Sequence, residues 1–166
     1  MDRSLALLLD LADAEFDGES FNGPSFMKTL EGLSPERAAS VETHEGYSAW
    51  EVAHHVAYYK YYIARALGAS EAIEPYPLPK GKSGFAPPRE ATEAAYKELL
   101  GYLRKAHRCA TEAIRGADPA KLVETMPKWD IPFAKAAAWL CTHDTYHAAQ
   151  IRNMGVPGLK EPKEGD

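Results

Sequence analysis

A chain of 166 residues, 45% hydrophobic and 26% charged, is long enough to bury a continuous core as one domain without covalent staples. Its 24 acidic residues outnumber its 19 lysines and arginines, and the formal charge of -5 argues against nucleic acid as a main partner, because phosphate binding needs a concentrated basic surface. No run reaches the roughly 20 apolar residues of a membrane span, and Cys109 and Cys141 read as reduced, buried small hydrophobes, so the expectation is a cytoplasmic protein with no membrane association.

The first helix is expected from about Ser4 to Glu15, where Leu5, Leu8, Leu9 and Ala12 recur at helical spacing and Asp17-Gly18 ends the run. Leu5 to Leu9 looks superficially like a secretory core, but Asp10 and Asp13 follow at once and mark an amphipathic helix instead. A loop carrying Phe16 and Phe21 as exposed aromatics leads to a short helix over Ser25 to Leu33. Ser34-Pro35, an N-cap followed by proline at the first helical position, sets another over Pro35 to Ala39.

Ser48 to Leu67 reads as a long helix of roughly 30 Å, with Ser48 and Glu51 at capping-box spacing and Gly68 as its stop. Glu74 to Pro88 holds five of the twelve prolines and reads as a linker wrapping the surface, too short to separate one domain from another. Within it Gly81-Lys82-Ser83-Gly84 lacks the upstream glycine and strand that a phosphate-binding loop needs. Arg89 to Arg115 is the third long helix, amphipathic through Leu99, Leu103, Ala106, Ala110 and Ile114, and Pro119 to Val123 adds a turn. The last runs from about Pro132 to Met154, and Gly155 and Pro157 end it. The expected organisation is a single domain over residues 1–158 and a loosely held tail over 159–166. Without period-two alternation or hairpin signals, the class is all-α: a four-helix bundle with short accessory helices.

Six histidines carry the chemical interest: His44, His54, His55, His107, His143 and His147. His143 and His147 are four apart, so both imidazoles lie on one helix face with Trp139, Gln150 and Met154 and can address one ion. A zinc-protease pattern would need glutamate directly after the first histidine, where this chain has Asp144. A third ligand comes best from the second long helix. His55 shares a stripe with Val52, Tyr59, Tyr62 and Ala66, whereas His54 lies on the adjacent stripe with Glu51 and suits a flank pairing with it. His44 and His107 read as surface residues.

Trp50-Glu51-Val52-Ala53-His54-His55-Val56-Ala57, with His143-Asp144-Thr145-Tyr146-His147-Ala148-Ala149-Gln150-Ile151 far downstream, resembles the DinB/YfiT-like superfamily. In that family a tryptophan stands five residues before the first metal histidine, which matches Trp50 and His55. The C-terminal helix carries His-(Asp/Glu)-x-Tyr-His-x-Gly-Gln-Ile, from which this chain departs at Ala149. Phe21 to Ser25 and Leu30 to Ser34 also resemble the family's segment before the second long helix. The resemblance implies an antiparallel four-helix bundle in which His55, His143 and His147 bind a divalent metal ion, nickel or zinc. It further implies a homodimer, and for some relatives thiol-dependent transferase or isomerase activity with a small-molecule thiol or electrophile as partner. Three neutral imidazoles leave a coordination position where a thiol or water can be activated, so the expected function is a metal-dependent transferase or hydrolase, the alternative a non-catalytic metal-stabilised module. Asp144 and Gln150 are expected to orient the ligands, and Tyr59 and Tyr146 to contact substrate.

Overall fold

The computed structural model describes residues 3–69, 72–73, 76–77 and 84–159. Much of the expected linker and residues 160–166 of the expected tail lie outside them. Among the described residues seven helices form: α1 (Arg3–Asp17), α2 (Phe26–Glu31), α3 (Pro35–Ala39), α4 (Ala49–Ala66), α5 (Glu93–Gly116), α6 (Pro119–Leu122) and α7 (Lys135–Asn153). No strand occurs there, Thr125 and Pro132 forming an isolated bridge, and no helix is long and apolar enough to cross a membrane.

Side-chain caps set most helix starts. Ser48 accepts from Glu51 N while the Glu51 carboxylate accepts from Ser48 N, a complete capping box that satisfies two orphan amides at the head of α4. Ser34 accepts from Arg37 N with Pro35 behind it. Two starts differ from the sequence reading. Helix α5 begins at Glu93, four residues later than expected, because Thr92 is the residue whose hydroxyl caps Ala95 N. Helix α7 begins at Lys135, because Met126 N donates to Ile131 O at 2.7 Å and Phe133 N to Glu124 O at 3.0 Å, which commits that stretch to a closed loop. Helix α1 runs on to Asp17, one turn past Ala12, so Phe16 is 2% exposed in the core and the expectation of an exposed ring fails. Phe21 is exposed as expected.

The four long helices form a ring of neighbours. Helix α1 packs on α7, α7 on α4 and α4 on α5, and Asp13–Arg115 and Asp17–Arg104 ion pairs tie α1 back to α5. Asp13 pairs with the later arginine and Asp17 with the earlier one, so α1 and α5 are antiparallel. His55 meets His147 while Tyr59 meets Trp139, so α4 and α7 are antiparallel too. Trp50 meets Tyr96 while Lys60 meets His107, so α4 and α5 run the same way, and the chain between them has to return along the bundle. Some of that crossover is built into the core: Ile73, Tyr76 and Ala86 are buried, and Tyr76 donates its hydroxyl to His54 O. The antiparallel α4–α7 pair is what brings His55 level with His143 and His147.

Candidate metal centre

On α7 the buried stripe is Ala137, Leu140, Asp144, Ala148 and Ile151. His143 lies on the shoulder of that stripe, facing α4 with His147, rather than at its centre. From α4, His55 points into the same seam. His143 Nε2 stands 3.2 Å from His55 Nε2 and 3.0 Å from His147 Nε2, and one nitrogen from each ring fits within a 4.8 Å cluster. Three nitrogens held about 2.05 Å from one ion, at angles between octahedral and tetrahedral, would be roughly 2.9–3.4 Å apart. The two close separations fall in that interval.

Hydrogen bonding fixes which nitrogen of His147 faces the cluster. Gln150 donates through its amide nitrogen to Glu45 Oε2 at 2.7 Å and to the Tyr47 hydroxyl at 2.6 Å, so its carbonyl oxygen turns toward His147. His147 Nδ1–H then donates to Gln150 Oε1 at 2.6 Å, leaving Nε2 as a bare lone pair aimed at His143. The Tyr47 hydroxyl also donates to Glu45, and burial and that carboxylate push the tyrosine up to about 12. His143 is packed, not bonded, on its far side. Trp139 stacks on it at 3.9 Å between centroids, and its Nδ1 is buried without a partner.

Burial dominates the electrostatics. It holds the pKa of His147 down to about 4, the nearby His55 adding in the same direction. It lowers His143 much further, helped by His147 and His55. Both rings are therefore neutral at pH 7, the state in which imidazole ligates metal. One hydrogen on His143 Nε2 can serve only one of the two nitrogens facing it, whereas a cation at their common point serves all three. The residues present fit a divalent ion.

A family model described as DinB superfamily matches residues 2–151 of this chain. The chain belongs to the DinB superfamily. Searches of curated proteins and of solved structures returned no match.

Within this DinB-superfamily chain the expected site residues sort unevenly. His55, His143 and His147 come together as the spacing and the resemblance predicted. Gln150 touches His147 as expected, but Asp144 does not orient a ligand. It is fully buried beyond His143 and pairs with Lys60 Nζ at 2.6 Å. His54 does not pair with Glu51, which the capping box occupies. It is 2% exposed, with Nδ1–H donating to Ala86 O and Nε2 accepting from Trp50 Nε1 at 3.3 Å. Both its nitrogens are used, so His54 has none left for a metal.

The same strap covers His55. Phe85 lies 4.2 Å from the His55 ring, and Gly84 (φ +80) comes so close that a Cβ there would stand 2.9 Å from Tyr58 Cβ and 3.1 Å from His55 Cα. His44 is exposed as expected, but His107 is not a surface residue. It is 6% exposed, accepts from Lys60 Nζ at 2.8 Å and donates to Asp13 Oδ1 at 2.9 Å. The sequence carried a signal for it, since residues 103, 107, 110 and 114 form one helical stripe otherwise filled by Leu, Ala and Ile. Tyr59 lines a cleft beside His55 and His143, and Tyr146 is exposed with its ring against His147. Tyr58 and Tyr61 pack on Tyr76, and Tyr62 packs on Trp129, so that aromatic stretch is occupied within the chain.

Proposed function

We propose that this chain is a divalent-metal protein in which His55, His143 and His147 hold nickel or zinc and present it to a cleft for transferase or hydrolase chemistry. The observation that supports this reading best is the gathering of three imidazoles, with His143 Nε2 standing 3.0 Å from His147 Nε2 and 3.2 Å from His55 Nε2 and all three ligand nitrogens within 4.8 Å of one another. A divalent ion there would supply Lewis acidity, which makes a water or a low-molecular-weight thiol nucleophilic near neutral pH. The chain's own residues do the rest. Gln150, anchored by Glu45 and Tyr47, keeps the proton on His147 Nδ1 and off the ligating face. Trp139 fixes the His143 ring by stacking. On the open side a solvent-open cleft of about 620 Å³ is bounded by Tyr59, Lys128, Trp129, Ile131 and Trp139 with the rims of His55 and His143, where a substrate can lie against the histidines.

A second reading rests on where the ligands come from. One belongs to α4 and two to α7, so an ion would fasten the two helices whether or not any turnover follows. The test begins with elemental analysis of protein purified from nickel- and zinc-supplemented cultures. About one ion per chain is expected in the wild type, and under a tenth of that in His143→Ala/His147→Ala. A metal-free wild type under those conditions overturns the proposal. Stoichiometric metal with no metal-dependent conjugation or hydrolysis across a panel of thiols, electrophiles and esters leaves the fastening role alone.

A further inference from the structure

The cleft over His55 and His143 has one chemical feature that metal binding does not use. The loop from Met126 to Pro132 is closed by the Thr125–Pro132 bridge and by Trp129 N and Asp130 N, both donating to Met126 O at 3.3 and 3.2 Å. Asp130 completes it in the left-handed region, φ 52, a conformation that aspartate tolerates better than most residues and that tends to be kept where a loop must present particular side chains. What the loop presents is Lys128 and Trp129. The Lys128 ammonium lies 5.2, 5.0 and 5.3 Å from the ring centroids of Tyr58, Tyr59 and Tyr62. No carboxylate among the described residues pairs with it. Trp129 lies 4.6 Å from Trp139 and 5.4 Å from Tyr59, so three aromatic rings line the space between the lysine and the histidines.

Resting on the reading of the three histidines as a metal centre, we infer that this cleft takes a planar aromatic anion: a flat ring system against Trp129, Trp139 and Tyr59, its carboxylate on Lys128. The lining supplies flat apolar walls, one cation held in place by cation–π contacts, and no acidic group to oppose a negative ligand. An ion bound by three neutral imidazoles adds positive charge of the same sign at the other end. A cationic ligand would have to displace Lys128 from the three tyrosines and then face that charge.

The experiment is calorimetric titration of 2-naphthoate, the neutral 2-naphthylmethanol and the cationic 2-naphthylmethylammonium into wild type, Lys128→Met and Lys128→Arg, each metal-loaded and chelator-stripped. Lys128 is exposed, so neither substitution disturbs the core, and circular dichroism checks that they fold alike. The carboxylate is expected to bind about tenfold tighter than the alcohol in wild type, as one charge-assisted contact gives. That margin should shrink to about twofold in Lys128→Met and persist in Lys128→Arg, in both metal states. Equal binding of acid and alcohol, preference for the ammonium, an unchanged margin in Lys128→Met, or no binding of any of the three overturns the inference. Metal content of the same samples separates the two ideas. A lysine-dependent margin in protein that takes up no metal sinks only the metal centre; stoichiometric metal with no margin sinks only the anion.

Discussion

Two polar clusters lie side by side along the α4–α7 seam, His55 with His143 and His147 in one, Lys60 and Asp144 with His107 of α5 in the other. The second carries its own cation. Lys60 Nζ donates to both Asp144 Oδ2 and His107 Nδ1, His107 donates its single N–H, on Nε2, to Asp13 Oδ1, and Phe16 closes the cluster by stacking on His107 at 4.0 Å. Asp144 Oδ1 is its one buried atom without a partner. The first cluster has no cation among its side chains. His143 Nε2 faces the nitrogens of His55 and His147 at hydrogen-bond distance, His147 Nε2 is held deprotonated by the Gln150 bond to Nδ1, and His143 Nδ1 is buried without a partner. Histidine thus does opposite work within one bundle. Where an ammonium is built in, the imidazole completes a structural network, and where none is, imidazoles gather around a place for an ion.

That contrast can be broken most sharply at the ammonium. Lys60 and Asp144 are both 0% exposed, so Lys60→Met or Asp144→Leu alone should destabilise the protein by about 3–5 kcal/mol in urea denaturation, each stranding a buried charge. The double variant should recover most of that loss; if it is as unstable as the two losses added, the pair is not the self-contained unit described. Gln150→Leu comes next. It removes the acceptor for His147 Nδ1–H and should weaken metal affinity about 10–100-fold in competition with a chelating dye, with little change in metal-free stability. An unaltered affinity would show that Gln150 does not set the tautomer.

The third effect is a slope, small at any one pH step. Burial, and then the Lys60 ammonium, hold the pKa of His107 down to about 3, so the folded state keeps this ring neutral. Its contribution is complete above the ordinary histidine value and is lost as pH falls from about 6.5 toward 3. Asp144, pushed up to about 6 by burial, acts in the other direction, easing as it takes up a proton below that pH. His107→Gln keeps an acceptor for Lys60 and a donor for Asp13, and should flatten the acid loss by up to about 1.4 kcal/mol per pH unit. Denaturation midpoints at pH 7, 6, 5 and 4 read this difference, and parallel profiles for the two proteins would refute it.

Most of the helical framework was legible because its signals are local. Ser34-Pro35, the Ser48/Glu51 box and the 3.6-residue periodicity need no knowledge of neighbouring helices. The pair on α7 was legible for the same reason. What stayed hidden depends on how helices dock. Lys60 shares a stripe with Val56, Ile63 and Ala64, all buried, yet lysine on such a stripe reads as a breach until Asp144 and His107 are known to meet it from two other helices. The helical face and the Trp50-to-His55 spacing both favour His55 over His54, yet His54 is the deeper of the two. What separates them is the bonding of His54 to Trp50 and Ala86, and the second of those partners is 32 residues away in the crossover.

Gly84 ties these observations together. A residue with positive φ and no room for a Cβ lets the backbone settle onto α4, and the next two residues then act in opposite senses: Phe85 shelters one imidazole and the Ala86 carbonyl engages its neighbour. Any side chain at position 84 would lift that strap, release His54 from its carbonyl and uncover His55 at the same time, turning two adjacent rings with separate duties into rivals for one ion. The division of labour between them is therefore written in the bare α-carbon of a connecting segment rather than in the helix that bears them.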